Sequence, residues 1–395
     1  GGIRGGGRAR SARSARGARA RPEPAPAPRA EMGQLLSGPV TDKESGDGIF
    51  PSTGLAWGFS GMQGWRDRME DSHLAIPSVG AAASGSAAAQ SWGDTALYGV
   101  MDGHGGEHVA KYCERYLPQE LARGPSQDMA GSLVQAFHRM DEMLSDPANL
   151  SELQSFSNDY ASQAFSSTNA SPDTMGCTAV MACIRQDLIV VANAGDSRAV
   201  LCRKGIAVDM SEDHKPNLPA ESRRIQKAGG TVMEQRMGSH THYRVNGNLN
   251  LSRSIGDLGY KQNFSLPPQD QMICCTPDVR QFRRQPGDQF MVVACDGVWD
   301  VLSSQEVVDY IRPRLGNPED LEQRLSKGEL QLSGVVEELL DYCLSPDLAQ
   351  TLGLGGDNMT AVLVVFLGDR GGYGEGWFTS AGHTLKNSSW LCPYK

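Results

Sequence analysis

The sequence lacks the features that mark several large classes of protein. No apolar stretch reaches the roughly 18 residues that a membrane-spanning helix requires. The nine cysteines are dispersed without a CxxC spacing, which is typical of reduced thiols in a cytosolic protein rather than of a disulfide framework. Neither G-x-x-x-x-G-K-[ST] nor G-x-G-x-x-G follows an apolar strand, so a nucleotide-binding function has no support.

The net charge of −9 conceals an uneven distribution. Eight of the 37 basic side chains are arginines within residues 1–31, which hold only two acidic residues. The rest of the chain therefore carries 29 basic and 44 acidic side chains, an excess of acid that disfavours nucleic acid as a partner. Arg/Ala/Gly/Pro-rich segments are typical of disordered tails, and binding to RNA or to an anionic membrane is the alternative.

Composition and periodicity divide the chain into three parts. Residues 1–50 contain almost no aromatic or β-branched side chains and predict a disordered basic arm. Residues 51–368 form one continuous predicted domain, and residues 369–395 are an aperiodic C-terminal tail. Met32 is the first methionine. A chain that started there would present Gly33 in an M-G-x-x-x-S pattern for N-myristoylation, which alone gives only weak membrane attachment.

The order of the predicted elements favours an α+β fold. Strand-like runs come in consecutive pairs with pairs of helical patterns between them, unlike the repeating βαβ alternation of a parallel sheet. Strands are predicted at 95–101, 179–184, 188–192, 199–202, 289–294 and 360–366. Helices are predicted at 107–121, 132–144, 221–228, 305–315 and 335–343. We therefore expect antiparallel sheets packed against helices.

Acidic residues recur where apolar strands begin or end. Asp102, Asp196 and Asp296 each follow an apolar run, Asp300 lies four residues beyond Asp296, and Asp357 precedes the last such run. A single Asp-Gly of this kind is ordinary turn chemistry. The repetition of the pattern predicts that these carboxylates belong to one site.

The ligand chemistry of such a site points to divalent cations. Clustered carboxylates repel one another unless positive charge lies among them, and oxygen ligands suit Mg²⁺ or Mn²⁺ rather than Zn²⁺. Two ions about 3.5–4 Å apart activate a bridging water and hold a phosphoryl group for in-line attack. An arginine fork suits the phosphate oxygens, and His104, next to Asp102, is well placed in sequence to protonate a leaving alkoxide.

Eight short motifs lie in a fixed order between residues 54 and 368. They are MQGWR at 62–66, MEDSH at 69–73, DGHGG at 102–106, NAGDSR at 193–198, DHKP at 213–216, LSRSIGD at 251–257, CDGVWD at 295–300 and GDNMT at 356–360. Together they closely resemble the metal-dependent protein phosphatases of type 2C, most of all the animal alpha/beta subgroup. The resemblance implies a β-sandwich of two antiparallel sheets flanked by helix pairs, in α-β-β-α layers. It also implies hydrolysis of phosphoserine and phosphothreonine in phosphorylated protein substrates.

The resemblance assigns metal-binding roles residue by residue. It implies two tightly held Mg²⁺ or Mn²⁺ ions. Asp102 would bridge both ions, and the carbonyl of Gly103 would bind one of them. Asp296 and Asp357 would hold the other ion, while Glu70 would act through coordinated water.

Further roles follow from the same motifs. Arg66 would bind the substrate phosphate, and His104 would protonate the leaving serine or threonine oxygen. Asp196 and Asp300 would contribute to a weaker third metal site. Asp71 would either orient the ligands or serve a structural purpose.

Several alternatives remain open from the sequence. Cys274 and Arg280 satisfy the bare C-x5-R spacing of a cysteine-based phosphatase, although no glycine lies between them to wrap a phosphate. A catalytically silent phosphoprotein-binding pseudophosphatase is the second alternative. Residues 237–243 resemble an insertion in the flap beside the active site, where His240 and His242 are weak candidates as metal ligands. We expect a cytoplasmic monomer that is also nuclear or membrane-associated in part.

Overall fold

The computed structural model describes residues 1–2, 35–50, 53–82, 91–156, 171–237 and 240–367. Most of the basic arm, the candidate start Met32, the candidate acceptor Gly33 and the tail at 369–395 lie outside the described residues. No helix within the described ranges combines the length and the apolar character needed to cross a membrane.

Sixteen strands are found in these ranges. They are β1 Leu35–Phe50, β2 Leu55–Arg66, β3 Ser72–Ile76, β4 Ala96–Met101, β5 Gly103–His104, β6 Gly176–Cys177, β7 Ala179–Arg185, β8 Leu188–Ala194, β9 Arg198–Arg203, β10 Ile206–Asp209, β11 Val232–Met237, β12 His240–Val245, β13 Ile255–Gly256, β14 Asp278–Arg283, β15 Asp288–Ala294 and β16 Met359–Phe366. A six-stranded sheet has the order β1-β2-β16-β15-β9-β10, and a five-stranded sheet has the order β14-β8-β7-β4-β3. All pairs of neighbouring strands are antiparallel.

The described ranges contain ten α-helices. They are α1 Val79–Ala82, α2 His108–Arg123, α3 Met129–Ser145, α4 Leu150–Gln154, α5 Pro219–Lys227, α6 Asp296–Trp299, α7 Ser304–Leu315, α8 Pro318–Ser326, α9 Leu332–Cys343 and α10 Leu348–Thr351. Helices α2 and α3 pack on the five-stranded sheet, and α7 and α9 pack on the six-stranded sheet. The α+β sandwich in α-β-β-α layers is thus confirmed.

The interior of the sandwich lies between the two sheets. Tyr98 of β4 and Val180 of β7 pack there against Met291 of β15 and Val362 of β16, and all four side chains are fully buried. Because helices cover the other face of each sheet, these central strands are apolar on both sides. This double burial is why they appear in the sequence as continuous apolar runs.

The predicted disorder of residues 1–50 is wrong for β1. This strand pairs with β2 and contributes few buried side chains, so its sequence shows no apolar pattern. Its contacts are polar instead: Asp47 accepts hydrogen bonds from the main-chain N–H and the hydroxyl of Ser333, in the first turn of α9. Lys43 forms a 2.6 Å ion pair with Asp341 of the same helix. The strand is held by main-chain pairing and polar contacts, which composition does not report.

Two smaller sheets are present, with the strand orders β13-β6-β5 and β11-β12. Strand β6 lies between β5 and β13, which joins Gly103 and His104 to the turn at Ile255–Gly256. Strands β11 and β12 form a hairpin. The apparent insertion at 237–243 lies at the tip of this hairpin, and Gly238 and Ser239 fall outside the described residues.

Candidate active site

Strand pairing brings two aspartates together in the five-stranded sheet. Ser72 of β3 pairs with Met101 of β4, so Asp71 and Asp102 lie at adjacent strand ends. Carboxylate oxygens of both residues and the Sγ of Cys295 lie within 4.8 Å of one another. Asp71 is therefore part of the cluster, a role that the sequence alone left open.

The six-stranded sheet delivers the remaining aspartates to the same place. Strand β15 pairs with β9 on one side and β16 on the other, so its C-terminal end meets the start of both neighbours. Asp296 lies two residues after the end of β15, Asp357 lies two residues before β16, and Asp196 lies two residues before β9. Burial, and then the negative charges of all three, raise the pKa of Asp102. The predicted acidic site is thus brought together in three dimensions.

The carboxylates repel one another strongly. Burial, together with neighbouring carboxylates, holds the pKa of Asp102 and of Asp296 well above the usual range. Burial and then the charge of Asp357 raise the pKa of Asp71 to about 7. Desolvation and neighbouring charges raise the pKa of Asp300 to about 6. Such a cluster is stable in its ionised form only if positive charge lies within it.

Three buried carboxylate oxygens of the cluster are poorly satisfied by protein groups. Within the described residues, neither carboxylate oxygen of Asp71 has a hydrogen-bond partner of good geometry, and the same is true of Oδ1 of Asp196. The thiol of Cys295 is engaged: it donates to the Asn358 carbonyl at 3.6 Å and accepts the N–H of Thr360 at 3.1 Å. The donors left for a cation are therefore carboxylate oxygens, which fit Mg²⁺ or Mn²⁺.

Arg66 lies at the edge of this cluster, at the end of β2. Its Nη2 donates to Oδ2 of Asp357 at 2.5 Å, and its side chain is 35% exposed. Burial alone would lower its pKa, but the charges of Asp357 and Asp102 outweigh that effect and raise it. The guanidinium is thus a permanent positive charge that reaches both the carboxylates and solvent.

One amide fixes the segment that carries Arg66 and Glu70. The side-chain N–H groups of Asn358 donate to the carbonyls of Gln63 and Arg68 at 2.7 and 2.9 Å, and its Oδ1 accepts the N–H of Glu70 at 2.9 Å. No role for Asn358 was predicted from the sequence. Its position directly after Asp357 in the last motif was the only available signal.

Glycine is required where the loop after β4 passes Glu70. A Cβ atom on Gly103 would lie 2.2 Å from the main-chain oxygen of Glu70, a contact that no side chain tolerates. The main chain of Gly103 thus runs directly against that of Glu70, beside Asp102. Glu70 itself has a raised pKa, caused first by burial and opposed by His104 and Arg66.

His104 is oriented by Asp257. The His104 Nε2 lies 2.7 Å from Oδ2 of Asp257, which also accepts the hydroxyl of Ser254 at 2.5 Å. A Cβ on Gly176 would lie 2.4 Å from that carboxylate, so glycine is needed there too. Burial lowers the pKa of His104, but the charge of Asp257 outweighs it and leaves the pKa raised. Asp257 was assigned no catalytic role from sequence, although it closes a recognised motif.

Lys215 adds a second cation to the cluster. Its Nζ lies 2.5 Å from Oδ2 of Asp196, which is almost fully buried. Burial lowers the pKa of Lys215, but Asp196, Asp296 and Asp300 outweigh that effect and raise it. This lysine lies in the DHKP motif. Its pairing with Asp196 could not be predicted from the sequence, because the two residues meet only in the folded chain.

The alternative cysteine site does not form. Cys274 and Cys275 are both buried, and burial raises the pKa of Cys275 well above its usual value. Arg280 instead hydrogen-bonds Glu212. A buried thiol whose candidate arginine pairs with another side chain is not a phosphate-binding nucleophile.

A buried ion network anchors α5, the helix that precedes the β11–β12 hairpin. Glu221 of α5 is 3% exposed and pairs with Arg224 at 2.5 Å and Arg253 at 2.8 Å. Arg253 also contacts Asp278 at 2.7 Å, and Asp278 lies 3.2 Å from Nε2 of His214. The network therefore links α5 to the segment that carries Lys215.

Comparison with known proteins establishes the family. The model of the family described as protein phosphatase 2C matches residues 55–350, about three quarters of the chain. The chain belongs to the protein phosphatase 2C family. It is 41% identical to "Probable protein phosphatase 2C 21" of Arabidopsis thaliana, over 85% of this chain and 93% of that protein. It is 39% identical to "Probable protein phosphatase 2C 3" of Paramecium tetraurelia, over 84% and 99% respectively.

Solved structures agree on the protein phosphatase 2C fold. A phosphatase from Toxoplasma gondii has a TM-score of 0.59 at 24% identity, covering 82% of this chain and 96% of that one. A serine-threonine phosphatase 2C from the same organism has a TM-score of 0.57 at 20% identity, covering 82% and 99%. These likenesses support the α-β-β-α architecture described above.

The Glu221 ion network of this protein phosphatase 2C member gives a pH-dependent prediction. Burial raises the pKa of Glu221, but Arg253 and Arg224 lower it to about 2 from the ordinary 4.5. The resulting stabilisation is complete above about pH 5 and is lost as the pH falls toward 2. We expect Glu221→Gln to lower the free energy of unfolding by about 2–3 kcal/mol at pH 7.

Urea unfolding at several pH values checks this expectation. The difference between Glu221→Gln and the parent should shrink to about half near pH 3, because the parent glutamate is then largely protonated in the unfolded chain. Glu338→Gln is the matched control, since its pair with Arg314 is 2.9 Å long but its carboxylate is 64% exposed. The control should cost under about 1 kcal/mol. A pH-independent loss in Glu221→Gln would contradict the assignment.

Proposed function

We propose that this protein hydrolyses phosphoserine and phosphothreonine in proteins, using a water activated at two carboxylate-held Mg²⁺ or Mn²⁺ ions. The observation that carries the proposal is the cluster of carboxylates, with Arg66 and the His104–Asp257 pair beside it. Membership of a protein phosphatase family supports the same reaction.

The carboxylates divide into two groups in this proposal. Asp102, Asp296 and Asp357 would hold the two tight ions, with the Gly103 carbonyl and, through water, Glu70. Asp196 and Asp300 would form a weaker third site. Bound ions would supply Lewis acidity and a water nucleophile at neutral pH. The unpartnered buried oxygens of Asp71 and Asp196 support this reading.

Arg66 would orient the phosphate. Its planar guanidinium can hold two phosphate oxygens at once, which a lysine ammonium cannot do. The ion pair with Asp357 sets the side chain toward the cluster, and its half-exposed position leaves one side open to a substrate. The arginine would therefore align the phosphorus with the attacking water.

His104 would supply the proton for the leaving oxygen. Asp257 engages Nε2, so Nδ1 is the nitrogen that remains for donation to the leaving group. Because Asp257 raises the pKa of His104, the ring keeps its proton at higher pH than a free imidazole does. A protonated ring oriented in this way is suited to general acid catalysis.

The sequence resemblance extends the proposal in detail. It favours the animal alpha/beta subgroup, a monomer, and a cytoplasmic location with nuclear or membrane-associated forms, the last depending on myristoylation of Gly33. Phosphorylated proteins are the expected partners. No observation in the described residues favours a silent pseudophosphatase, and the proximity of Arg66 and His104 to the carboxylates supports an active enzyme.

The first test is metal-dependent hydrolysis of a phosphothreonine peptide by the full chain. We expect turnover with Mn²⁺, none with excess chelator, and a loss of at least about 100-fold in Asp296→Asn, because the substitution removes a charged ligand. Asp270→Asn, in an exposed pair with Lys227, is the control and should keep parental activity. Turnover that survives both chelator and Asp296→Asn would overturn the metal mechanism. Absent turnover with metal bound would favour the pseudophosphatase.

A second test isolates the proton donor. Asp257→Asn removes the charge that orients His104 and raises its pKa, so donation to a poor leaving group should fail. We expect kcat on a phosphothreonine peptide to fall about 100-fold, while kcat on p-nitrophenyl phosphate falls less than about fivefold, because p-nitrophenolate leaves without a proton. An equal loss on both substrates would indicate a structural effect and contradict the assignment.

A further inference from the structure

Lys215 occupies one oxygen of a carboxylate that the proposed function assigns to the weaker third metal site. The ammonium lies 2.5 Å from Oδ2 of Asp196, whereas Oδ1 of the same residue is buried and has no hydrogen-bond partner among the described residues. Asp196 is 1% exposed, but the Lys215 side chain is 36% exposed. One end of the ion pair is therefore fixed in the interior, and the other can exchange its partner for water.

The main chain holds this pair in register. The N–H of His214 donates to the carbonyl of Gly195 at 2.9 Å, and the N–H of Gly195 donates to Nδ1 of His214 at 3.2 Å. The side chain of Asn193 donates to the same Gly195 carbonyl at 3.1 Å. Lys215 and Asp196 each lie one residue beyond this contact. Their proximity is thus built into the pairing of the two loops.

An ammonium and a divalent ion compete for such a carboxylate. Asp296 and Asp300 also attract the Lys215 ammonium. Without metal, this ammonium balances part of the negative charge of the cluster. A third ion would take the place of that ammonium. A lysine ammonium is a compact charge on a flexible stem, so it can withdraw toward solvent when a stronger cation arrives. Its displacement has a free-energy cost that weakens the binding of that ion.

We propose that Lys215 is a built-in cation that competes with a divalent ion at Asp196 and thereby sets the affinity of the weakest metal site. The inference rests on the proposed function, because it takes the cluster to bind divalent ions. Removing the ammonium should tighten the weakest site about tenfold, within the usual range of coupling between two bound groups. The two tighter ions should change little.

The experiment is a titration of the chelator-stripped full chain with Mn²⁺, followed by calorimetry and by electron paramagnetic resonance of free Mn²⁺. Lys215→Met and Lys215→Gln both remove the charge, and Lys215→Arg retains it. Lys43→Met is the matched control, because its 2.6 Å pair with Asp341 lies outside the cluster. We expect the weakest Mn²⁺ to bind about tenfold more tightly in Lys215→Met and Lys215→Gln, and parental binding in Lys215→Arg and Lys43→Met.

The outcomes separate this inference from the proposed function. A third ion that tightens, or that is detected only without the ammonium, supports the competition. Parental or weaker binding at the weakest site in both neutral variants, with two tight ions retained, overturns it and leaves the proposed function intact. A parent chain that binds no Mn²⁺ contradicts the metal mechanism itself, and the inference fails with it.

Discussion

Repulsion among crowded carboxylates, some buried and some half-buried, is the constraint on which this structure depends. Asp71, Asp102, Asp196, Asp296 and Asp357 are drawn to one edge of a sandwich whose interior is apolar. An uncompensated cluster of this kind would oppose folding, since desolvation and like charge both favour the protonated forms. Positive charge must therefore be supplied at the same place. Arg66 and Lys215 supply part of it, and the oxygen donors are suited to divalent cations for the remainder.

The rest of the fold holds these charges in position. The aspartates lie at the ends of central strands that are packed on both faces, where movement would open the core. Asn358 ties the segment bearing Glu70 to the start of β16 through three hydrogen bonds. Asp257 fixes the ring of His104. Because the frame is rigid, the charged groups keep positions that suit a bound phosphate instead of relaxing into contact with one another.

Much of this could be predicted from the sequence, and the limits have physical causes. The buried strands and the amphipathic helices were visible because apolar periodicity records burial. The acidic residues were visible because they interrupt that pattern at strand ends. Strand β1 was missed because it is held by main-chain pairing and by Asp47, not by an apolar face. The roles of Asn358, Asp257 and Lys215 depend on partners that are distant in sequence, such as His104 for Asp257. Composition and spacing do not encode those contacts.

The central claim is that the carboxylate cluster is a divalent cation site. Crystals of the full chain grown with Mn²⁺, measured at the manganese absorption edge, test it most directly. The account predicts at least two anomalous peaks among Asp102, Asp296 and Asp357, each about 2.0–2.4 Å from carboxylate oxygens, with Asp296→Asn losing at least one. Saturating Mn²⁺ that leaves the cluster without an anomalous peak, or that gives peaks only elsewhere, would contradict the account.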